Sequence, residues 1–293
     1  MELGRVGIWS GQLGRMPATA VREAIGAIEA LGFGTVWYPE SVTKEAMSQA
    51  ALLLAASREM VVASGIANIW ARDPAAMING ARTLADAFPG RFLLGIGVSH
   101  APNVARRGHD YRRPLAAMRA YLDDMDNAPY FGPQPSGPPE IVLAALGPRM
   151  LRLAAERTRG AHPYFVPPEH TSFARAELGP DPLLAPEQAV VLSSDPVTAR
   201  GIARDHARGY LALDNYRNNL GRLGWSDADL SGGGSDALID AVIAWGDVAA
   251  IQARVAAQLA AGADHVCVQV LNGPPDQFPL AELGRLAGAL LEL

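Results

Sequence analysis

The feature that most constrains this chain is a repeated unit, a short apolar or β-branched run followed by an amphipathic, alanine-rich stretch. Apolar runs without strict alternation are typical of parallel strands that are covered on both faces. Four such units occupy about the first 100 residues, and connections this short favour right-handed crossovers in a parallel sheet. The strands predicted here are Val6–Trp9, Thr35–Tyr38, Met60–Ala67 and Phe92–Val98.

The second half continues the pattern less regularly. Four further strands are predicted, at Glu140–Ala145, near Ala161–Tyr164, at Gln188–Leu192 and at His265–Val270. Helices are predicted at Val21–Leu31, Glu45–Ser57, Pro74–Ala87, Tyr111–Met125, Pro148–Arg157, Asp247–Ala261 and Leu280–Leu291, with extra helical material at Tyr210–Leu223 and Asp236–Trp245. Eight strands, each with a helix, predict an α/β fold, a (β/α)₈ TIM barrel with extra helices in its C-terminal half.

The chain length fits one such barrel. It has 293 residues, against roughly 250 for a typical TIM barrel, so we expect a single domain over residues 1–293. The glycine-rich segment Ser231–Ser235 is interpreted as a surface loop, because the strand–helix alternation resumes after it.

Composition and charge exclude several classes of function. The net charge of −5 argues against a nucleic-acid-binding protein, and no run of about 18 apolar residues predicts a membrane span. Cys267 is the only cysteine, which excludes an intrachain disulfide and a thiolate zinc cluster and fits a cytoplasmic location. The six histidines show no close pairing at metal-ligand spacing, so no metal site is predicted.

The active site of a TIM barrel lies at the carboxyl ends of its strands. Polar and glycine residues follow six of the predicted strands. Taken alone, each of these residues is best explained as an ordinary loop residue. Together they predict a pocket lined by Trp9–Ser10, Pro39–Ser41, Gly65–Asn68, Val98–His100, Leu146–Pro148 and His162–Tyr164.

Two short motifs point to other protein classes. Gly95-x-Gly97 follows a strand, but the sixth position is His100 rather than glycine or alanine and no helix is predicted to follow at once, which argues against a dinucleotide fingerprint. Gly97–Ala101 also has the spacing of a nucleophile elbow. Because Pro102 and Asn103 follow where a helix should start, a serine hydrolase remains only a weaker alternative.

The turn Leu146-Gly-Pro-Arg149 has the residues of an anion site. Glycine allows close approach of the backbone, proline presets the first helical turn, and free amides at a helix N-terminus attract anions. Arg149 adds a positive charge. An ordinary strand-to-helix turn explains the same residues equally well.

Several segments resemble the bacterial luciferase-like superfamily of flavin and deazaflavin enzymes. The resemblance rests on Ala63–Asn68, Arg72-Asp-Pro74 and the run Gly90-Arg-Phe-Leu-Leu-Gly-Ile-Gly97. Further matches, closest to the branch that uses coenzyme F420, are Val36–Glu40, Ala145–Met150, Asp240–Gly246 and Gly262–Val266.

The resemblance implies a cofactor site. Its members carry a non-proline cis peptide in a bulge on strand three, and the matching bond here is Gly65–Ile66. The residues that it assigns to the cofactor are Ser64, Gly65, Ile66, Ala67 and Asn68 on strand three, Gly97, Val98 and Ser99 on strand four, Gly147, Pro148, Arg149 and Met150 at the phosphate, and His162.

The activity implied is hydride transfer between C5 of the deazaflavin and a carbonyl, alcohol, imine or activated alkene. A proton must move as well, and His100 and Glu40 are the candidate catalytic residues. A surface histidine and a helix-capping glutamate are the alternative interpretations. An FMN-dependent monooxygenase with a partner reductase, or a barrel that binds cofactor without catalysis, are the alternative functions.

Two further expectations concern partners. Arginines in one region could receive a polyanionic cofactor tail or be part of a solvated loop, and these are Arg72, Arg106, Arg107, Arg112 and Arg113. The resemblance also implies a homodimer that acts on a small molecule, with no nucleic-acid or membrane partner.

Overall fold

The computed structural model describes all residues from 1 to 293 and contains one curled sheet of eleven strands, every pair of which is parallel. The strands are β1 (Val6–Trp9), β2 (Thr35–Tyr38), β3 (Val61–Ser64), β4 (Ala67–Asn68), β5 (Phe92–Gly97), β6 (Glu140–Leu143), β7 (Gly160–Ala161), β8 (Leu183–Leu184), β9 (Glu187–Leu192), β10 (Ala244–Gly246) and β11 (Val266–Val270).

The sheet closes into a barrel. Its hydrogen-bonded order runs from β9 through β11, β1, β2, β3, β5, β6 and β7 to β8. β8 and β9 are separated only by Ala185 and Pro186, whose backbone bonds to neighbours on opposite sides: Ala185 N–H donates to Ala161, and the Pro186 carbonyl accepts from Cys267. β8 and β9 therefore form one interrupted barrel strand, and the prediction of a (β/α)₈ barrel is confirmed.

Thirteen α-helices surround the sheet: α1 (Ala18–Ala30), α2 (Ala46–Ala56), α3 (Pro74–Ala87), α4 (Ala101–Ala105), α5 (Pro114–Asp126), α6 (Pro148–Arg157), α7 (Pro168–Leu178), α8 (Pro196–Leu211), α9 (Asp214–Arg222), α10 (Asp227–Leu230), α11 (Asp236–Val242), α12 (Val248–Ala260) and α13 (Leu280–Leu291). Several begin where the sequence offers a cap. Asp73, Asp195 and Asp247 each accept a backbone N–H from the first turn, which satisfies a donor that has no partner within the helix. None of these helices combines the length and the apolar character needed to cross a bilayer.

Successive residues of the strands face different parts of the core. Trp37 and Ala63 belong to an inner cluster formed mainly by strand residues. Their neighbours Val36, Tyr38 and Val62 pack outward against the helices, in the large cluster of 53 residues. This alternation is the period-two geometry of a strand, and here it places bulky side chains inside the barrel.

The structure corrects the predicted elements at particular points. The strand predicted at Met60–Ala67 is broken into β3 and β4 by Gly65 and Ile66. A short helix, α4, follows β5 where none was predicted, and α7 occupies a segment for which no element was predicted. The segment predicted as helix to Trp245 ends at Val242, after which β10 pairs with β9.

The extra helices lie between β9 and β11. α8, α9, α10 and α11 build their own hydrophobic cluster with Phe165 and the β9 residues Ala189 and Val191. The inserted segment therefore packs on one side of the barrel and brings Tyr210, Asn215 and Tyr216 toward residues that follow β5 and β7.

Candidate active site

The first part of the site is a bulge between β3 and β4. The Gly65–Ile66 peptide bond is cis, as the resemblance implies. Ile66 is half-buried and lies over β5, where a Cβ on Gly97 would come within 2.7 Å of its Cδ1 atom. A Cβ on Gly95 would overlap the carbonyl oxygen of Ser64. The Gly95-x-Gly97 pattern therefore exists because the bulge packs on this strand.

Three of the strand-three residues that the resemblance assigns to the cofactor make their contacts within the protein instead. Ser64 is buried, and its hydroxyl donates to the Gly95 carbonyl at 2.8 Å and accepts from the Gly95 N–H at 2.9 Å. Ala67 is fully buried, and the Asn68 carboxamide oxygen accepts the N–H of Trp70 at 3.0 Å. These side chains hold the bulge in place, and because Gly65 is buried as well, half-buried Ile66 is the part of the bulge that is open to a ligand.

His162 lies beneath the bulge and not in the open mouth of the barrel. It is 1% exposed, stacks on Trp37 with ring centroids 4.4 Å apart, and donates from Nδ1 to the Ala185 carbonyl at 2.7 Å. Burial lowers the pKa of His162 to about 4, so the ring is neutral. Its Nε2 atom has no partner and would lie 2.8 Å from a Cβ on Gly65. His162 thus supports Gly65 from below, and its cofactor contact stays a prediction that this geometry does not favour.

The end of β5 brings a histidine to the mouth of the barrel. Ser99 has a positive φ of 58°, and the next residue, His100, precedes α4 and is half-buried. Its Nδ1 atom lies 3.0 Å from the carboxamide oxygen of Asn215, and its ring is 5.4 Å from the ring of Tyr216. Because the Asn215 oxygen only accepts, Nδ1 carries the proton and Nε2 keeps a free lone pair.

The environment of His100 also sets its protonation state. Burial lowers the pKa of His100, while the hydrogen bond to Asn215 raises it, and the net direction is downward. At neutral pH the ring is therefore uncharged, with Nε2 able to accept a proton.

Glu40, the second candidate catalytic residue, is held by protein groups. Its carboxylate accepts the backbone N–H groups of Ala46 and Asn68 and pairs with both terminal nitrogens of Arg72. The Glu40 side chain is only 4% exposed and that of Arg72 only 11%. A catalytic role for Glu40 stays a prediction, and one that this geometry does not favour.

The same ion pair changes the interpretation of Arg72. Its guanidinium also contacts Glu45 at 2.7 Å, so Arg72 is wrong as a receptor for a polyanionic tail. Arg112 pairs with Asp110 at 3.0 Å on the surface. Arg106, Arg107 and Arg113 are exposed, and a role for them stays a prediction.

The possible nucleophile elbow lacks a base. Ser99 shares with an elbow serine the positive φ and a helix two residues later. No hydrogen bond joins its hydroxyl to a histidine, and His100 directs Nδ1 at Asn215. The serine-hydrolase alternative therefore has no activated nucleophile here.

The turn before α6 has the properties of an anion site. Gly147 is the N-cap, has no side-chain cap, and is followed by a first turn without an acidic residue. The backbone N–H of Arg149 has no carbonyl partner, and the Arg149 side chain is exposed and forms no ion pair. His170 of α7 contacts the Leu146 carbonyl through Nε2 at 2.9 Å and so fixes the turn. Predicted site residues Gly147, Pro148 and Met150 are half-buried around it.

A buried polar and aromatic cluster joins the mouth to the barrel interior. The hydroxyl of Tyr164 lies 2.9 Å from that of Tyr210 and donates to Gln269 at 2.8 Å. Nearby Glu187 is fully buried and accepts one N–H, from Phe165, while its Oε1 has no partner. Burial raises the pKa of Glu187 to about 8, so this carboxyl is protonated at neutral pH.

Sequence reasoning missed the residues that the inserted helices contribute. Asn215, Asn219 and Arg222 lie at positions i, i+4 and i+7 of α9, which places them on one face of that helix. The sequence signal that could have found them is this helical spacing of polar residues beside the apolar Tyr216 and Leu220. No three His, Cys, Asp or Glu side chains come together as a metal site.

The fold and this geometry define the class of protein: a (β/α)₈ barrel whose candidate functional residues lie at the carboxyl ends of its strands. The sequence profile of the luciferase-like monooxygenase family matches residues 3–265, and the chain belongs to this family. The predicted resemblance to the luciferase-like superfamily is confirmed.

Comparison with individual proteins finds curated relatives as well as solved structures. A Mycobacterium tuberculosis protein named as a coenzyme F420-dependent oxidoreductase, Rv3520c, is 32% identical over 126 residues, which are 42% of this chain and 36% of that relative. The chain thus matches little more than a third of the relative's length.

The solved structures share the fold over nearly the whole chain. An F420-dependent secondary alcohol dehydrogenase in complex with an F420-acetone adduct has a TM-score of 0.78, with 15% identity and 99% of both chains covered. The coenzyme F420-dependent tetrahydromethanopterin reductase of Methanopyrus kandleri has a TM-score of 0.70, with 17% identity, 96% of this chain and 98% of that chain.

A third structure binds a different cofactor. The oxygenating constituent of 3,6-diketocamphane monooxygenase from Pseudomonas putida, in complex with FMN, has a TM-score of 0.67, with 16% identity, 99% of this chain and 96% of that chain. At these identities the likeness shows the fold.

Proposed function

We propose that this chain is an F420-dependent oxidoreductase that transfers a hydride between the deazaflavin and a small organic substrate. The observation that carries the proposal is that three features follow neighbouring strands of the barrel: the Ile66 bulge after β3, half-buried His100 after β5, and the uncapped helix N-terminus at Gly147 after β6. The names of the M. tuberculosis relative and of two structural neighbours support the choice of cofactor.

The residues of the cleft fit a cofactor with an aromatic ring and a phosphate. Ile66 and Val98 are half-buried apolar side chains against which a ring can pack. The free amide of Arg149 and the open face of Gly147 suit a phosphate, since a Cβ on Gly147 would meet only Arg222, at 3.7 Å. When bound, a deazaflavin supplies a two-electron hydride donor or acceptor.

His100 is proposed to move the proton that accompanies the hydride. When an alcohol is oxidised, a bound deazaflavin would accept the hydride, and Nε2 of His100 would accept the hydroxyl proton. In the reverse direction the same atom returns the proton to the carbonyl oxygen. Asn215 holds the ring through Nδ1, which keeps Nε2 directed to accept.

The proposed substrate class is a carbonyl or alcohol, an imine or an activated alkene. Tyr216, next to His100, and Tyr164 with Tyr210 form a mainly apolar wall near the mouth. Such a wall suits a small organic molecule, because burying its apolar surface contributes roughly 25 cal/mol per Å².

The experiment that tests the cofactor is a titration of the purified protein with F420 and, separately, with FMN, followed by tryptophan fluorescence. Saturation by F420 without saturation by FMN is the expected result, and a screen of alcohols and ketones would follow. Binding of neither cofactor would contradict the proposal.

An FMN-dependent monooxygenase is the second candidate. It is favoured by the FMN-bound monooxygenase among the structural neighbours and by the family profile. This candidate needs a partner reductase and oxygen, so preferential FMN binding with oxygen consumption would replace the F420 proposal.

Two further expectations are part of the proposal. A homodimer is proposed from the family resemblance, and light scattering coupled to size-exclusion chromatography measures it directly. A cytoplasmic location is proposed as well, and cell fractionation tests it.

A further inference from the structure

A positively charged side chain from the inserted helix α9 lies against the N-terminus of α6. Nη2 of Arg222 would lie 3.7 Å from a Cβ on Gly147, and this is the only atom that such a Cβ would meet. Arg222 donates one hydrogen bond, from Nη1 to the Asn219 carboxamide oxygen at 3.0 Å, and forms no ion pair. Most N–H donors of Arg222 therefore have no hydrogen-bond partner, although the guanidinium lies beside the backbone of the turn at Gly147.

This arrangement concentrates positive charge with no acid to balance it. A helix N-terminus carries about half a unit of positive charge, Arg149 stands in its first turn, and that turn contains no acidic residue. Arg222 also helps to lower the pKa of His170, which supports the Leu146 carbonyl. Two positively charged side chains near a helix N-terminus favour the binding of an anion, whose attraction to both offsets their mutual repulsion.

A buried donor without a partner belongs to the residue that holds Arg222. Asn219 is 2% exposed, and its carboxamide oxygen is used by Arg222, yet its Nδ2 group has no hydrogen-bond partner. An unsatisfied buried donor costs about 1–3 kcal/mol, so a ligand oxygen or a bound water that accepts from it would recover that free energy.

We propose that Arg222 and Asn219 complete a phosphate site at the N-terminus of α6, so that α9 selects the phosphorylated form of the cofactor. The phosphate oxygens accept from the Arg149 amide and from the Arg222 guanidinium, which Asn219 orients. The identity of the ligand in this inference rests on the proposed function, whereas the existence of the anion site does not.

The test compares ligands that differ in the phosphate. F420 and the same deazaflavin riboside without its phosphate tail are titrated into the wild type, Arg222→Ala and Arg208→Ala. Arg208, at the end of α8, is the matched control, because it lies in the same inserted segment, carries the same charge and has a 68% exposed side chain paired with Asp205. We expect Arg222→Ala to weaken F420 binding at least tenfold, in line with a lost hydrogen bond to a charged group.

The controls define what overturns the inference. The phosphate-free riboside should bind equally to all three proteins, and Arg208→Ala should bind F420 like the wild type. Arg222 is also in the last turn of α9, where a cation stabilises its own helix. If Arg222→Ala lowers the melting temperature but binds F420 as the wild type does, the side chain is only a helix cap and the inference fails. Arg222→Lys keeps that charge and should recover stability but only part of the affinity.

Inorganic phosphate separates this inference from the proposed function. Line broadening of the ³¹P resonance reports phosphate binding without any deazaflavin. If F420 fails to bind but phosphate binds to the wild type and not to Arg222→Ala, the cofactor proposal is wrong and the anion site stands. If phosphate and F420 bind equally to the wild type and Arg222→Ala, Arg222 has no part in the anion site and the inference fails. If neither binds to the wild type, the anion site itself is refuted.

Discussion

His100 is held by two neighbours from the inserted segment, Asn215 and Tyr216, and its proposed role in proton transfer can be tested directly. We expect His100→Gln to lower turnover by about 10²–10⁴-fold, the usual contribution of a general acid or base, with F420 affinity changed less than about twofold. The matched control is His109→Gln, since His109 is exposed. Turnover and the dissociation constant of F420 are measured on each variant, and normal turnover by His100→Gln would remove the assignment.

The lowered pKa of His100 predicts the pH dependence of the same step. A base acts when it is deprotonated, so a pKa below the ordinary 6.5 keeps alcohol oxidation active to lower pH than a free imidazole would. Asn215 raises this pKa, and Asn215→Leu should therefore move the acid limb of kcat/KM further down. An acid limb above pH 6.5 in the wild type would contradict this account.

Two glycines of β5 predict different outcomes for the same substitution. In Gly95→Ala the new Cβ overlaps the Ser64 carbonyl, which is backbone and cannot rotate away. We expect loss of more than about 3 kcal/mol, beyond the usual range for overpacking. In Gly97→Ala the obstacle is mainly the flexible end of Ile66, so the protein should fold while cofactor affinity falls. Urea unfolding and F420 titration distinguish the two, and equal unfolding free energies would refute the packing argument.

At the scale of elements, the Glu40–Arg72 ion pair joins two connections at the mouth of the barrel. Glu40 follows β2 and Arg72 precedes α3, and the pair is almost completely buried. Arg72→Ala leaves a buried carboxylate without its partner, which typically costs 3–5 kcal/mol. Glu40→Gln leaves the Arg72 cation with Glu45 and should cost less. The control is Arg119→Ala, which removes an exposed pair with Glu156 and should cost about 1 kcal/mol or less.

The free energy of unfolding in urea measures these changes. Glu40→Gln also tests the candidate catalytic role of Glu40, because a folded variant with normal turnover gives the carboxylate a structural role only. Loss of turnover at unchanged stability and unchanged F420 affinity would instead restore the catalytic assignment.

The elements also show how far the sequence could predict the site. Strands β1 and β2 were predicted with their observed bounds, because apolar runs and glycine boundaries are local features. The break between β3 and β4 could be expected only from the family resemblance, since nothing in the composition of Ser64–Ala67 indicates a bulge. Asn215, Asn219 and Arg222 were missed because their role depends on where α9 packs, which is a tertiary property.

At the scale of the whole molecule, buried histidines predict how stability falls in acid. Burial lowers the pKa of four histidines to about 4, and these are His162, His170, His206 and His265. In the unfolded chain these rings titrate near 6.5, so the unfolded state binds up to four more protons below that pH. Their stabilising effect is complete above pH 6.5 and is lost as the pH falls toward 4.

Glu187 acts in the opposite direction. Its raised pKa of about 8 means that the folded protein keeps a proton that the unfolded chain releases near 4.5. This contribution is complete below pH 4.5 and is lost as the pH rises through 8. At pH 5.5 the two effects leave the unfolded state with between two and three more bound protons, equivalent to roughly 3–4 kcal/mol per pH unit.

These opposing groups predict a stability maximum near pH 7, with a steep acid side and a shallower alkaline side. Glu187→Gln removes the group that titrates near 8 and keeps a similar volume, so the alkaline slope should disappear while the acid slope becomes steeper. Urea unfolding from pH 5 to 9 measures both slopes, and Glu177→Gln, an exchange on the surface side of α7, is the control. A Glu187→Gln curve that keeps the alkaline slope would assign it to another group, and a flat acid side would show that the buried histidines do not resist protonation.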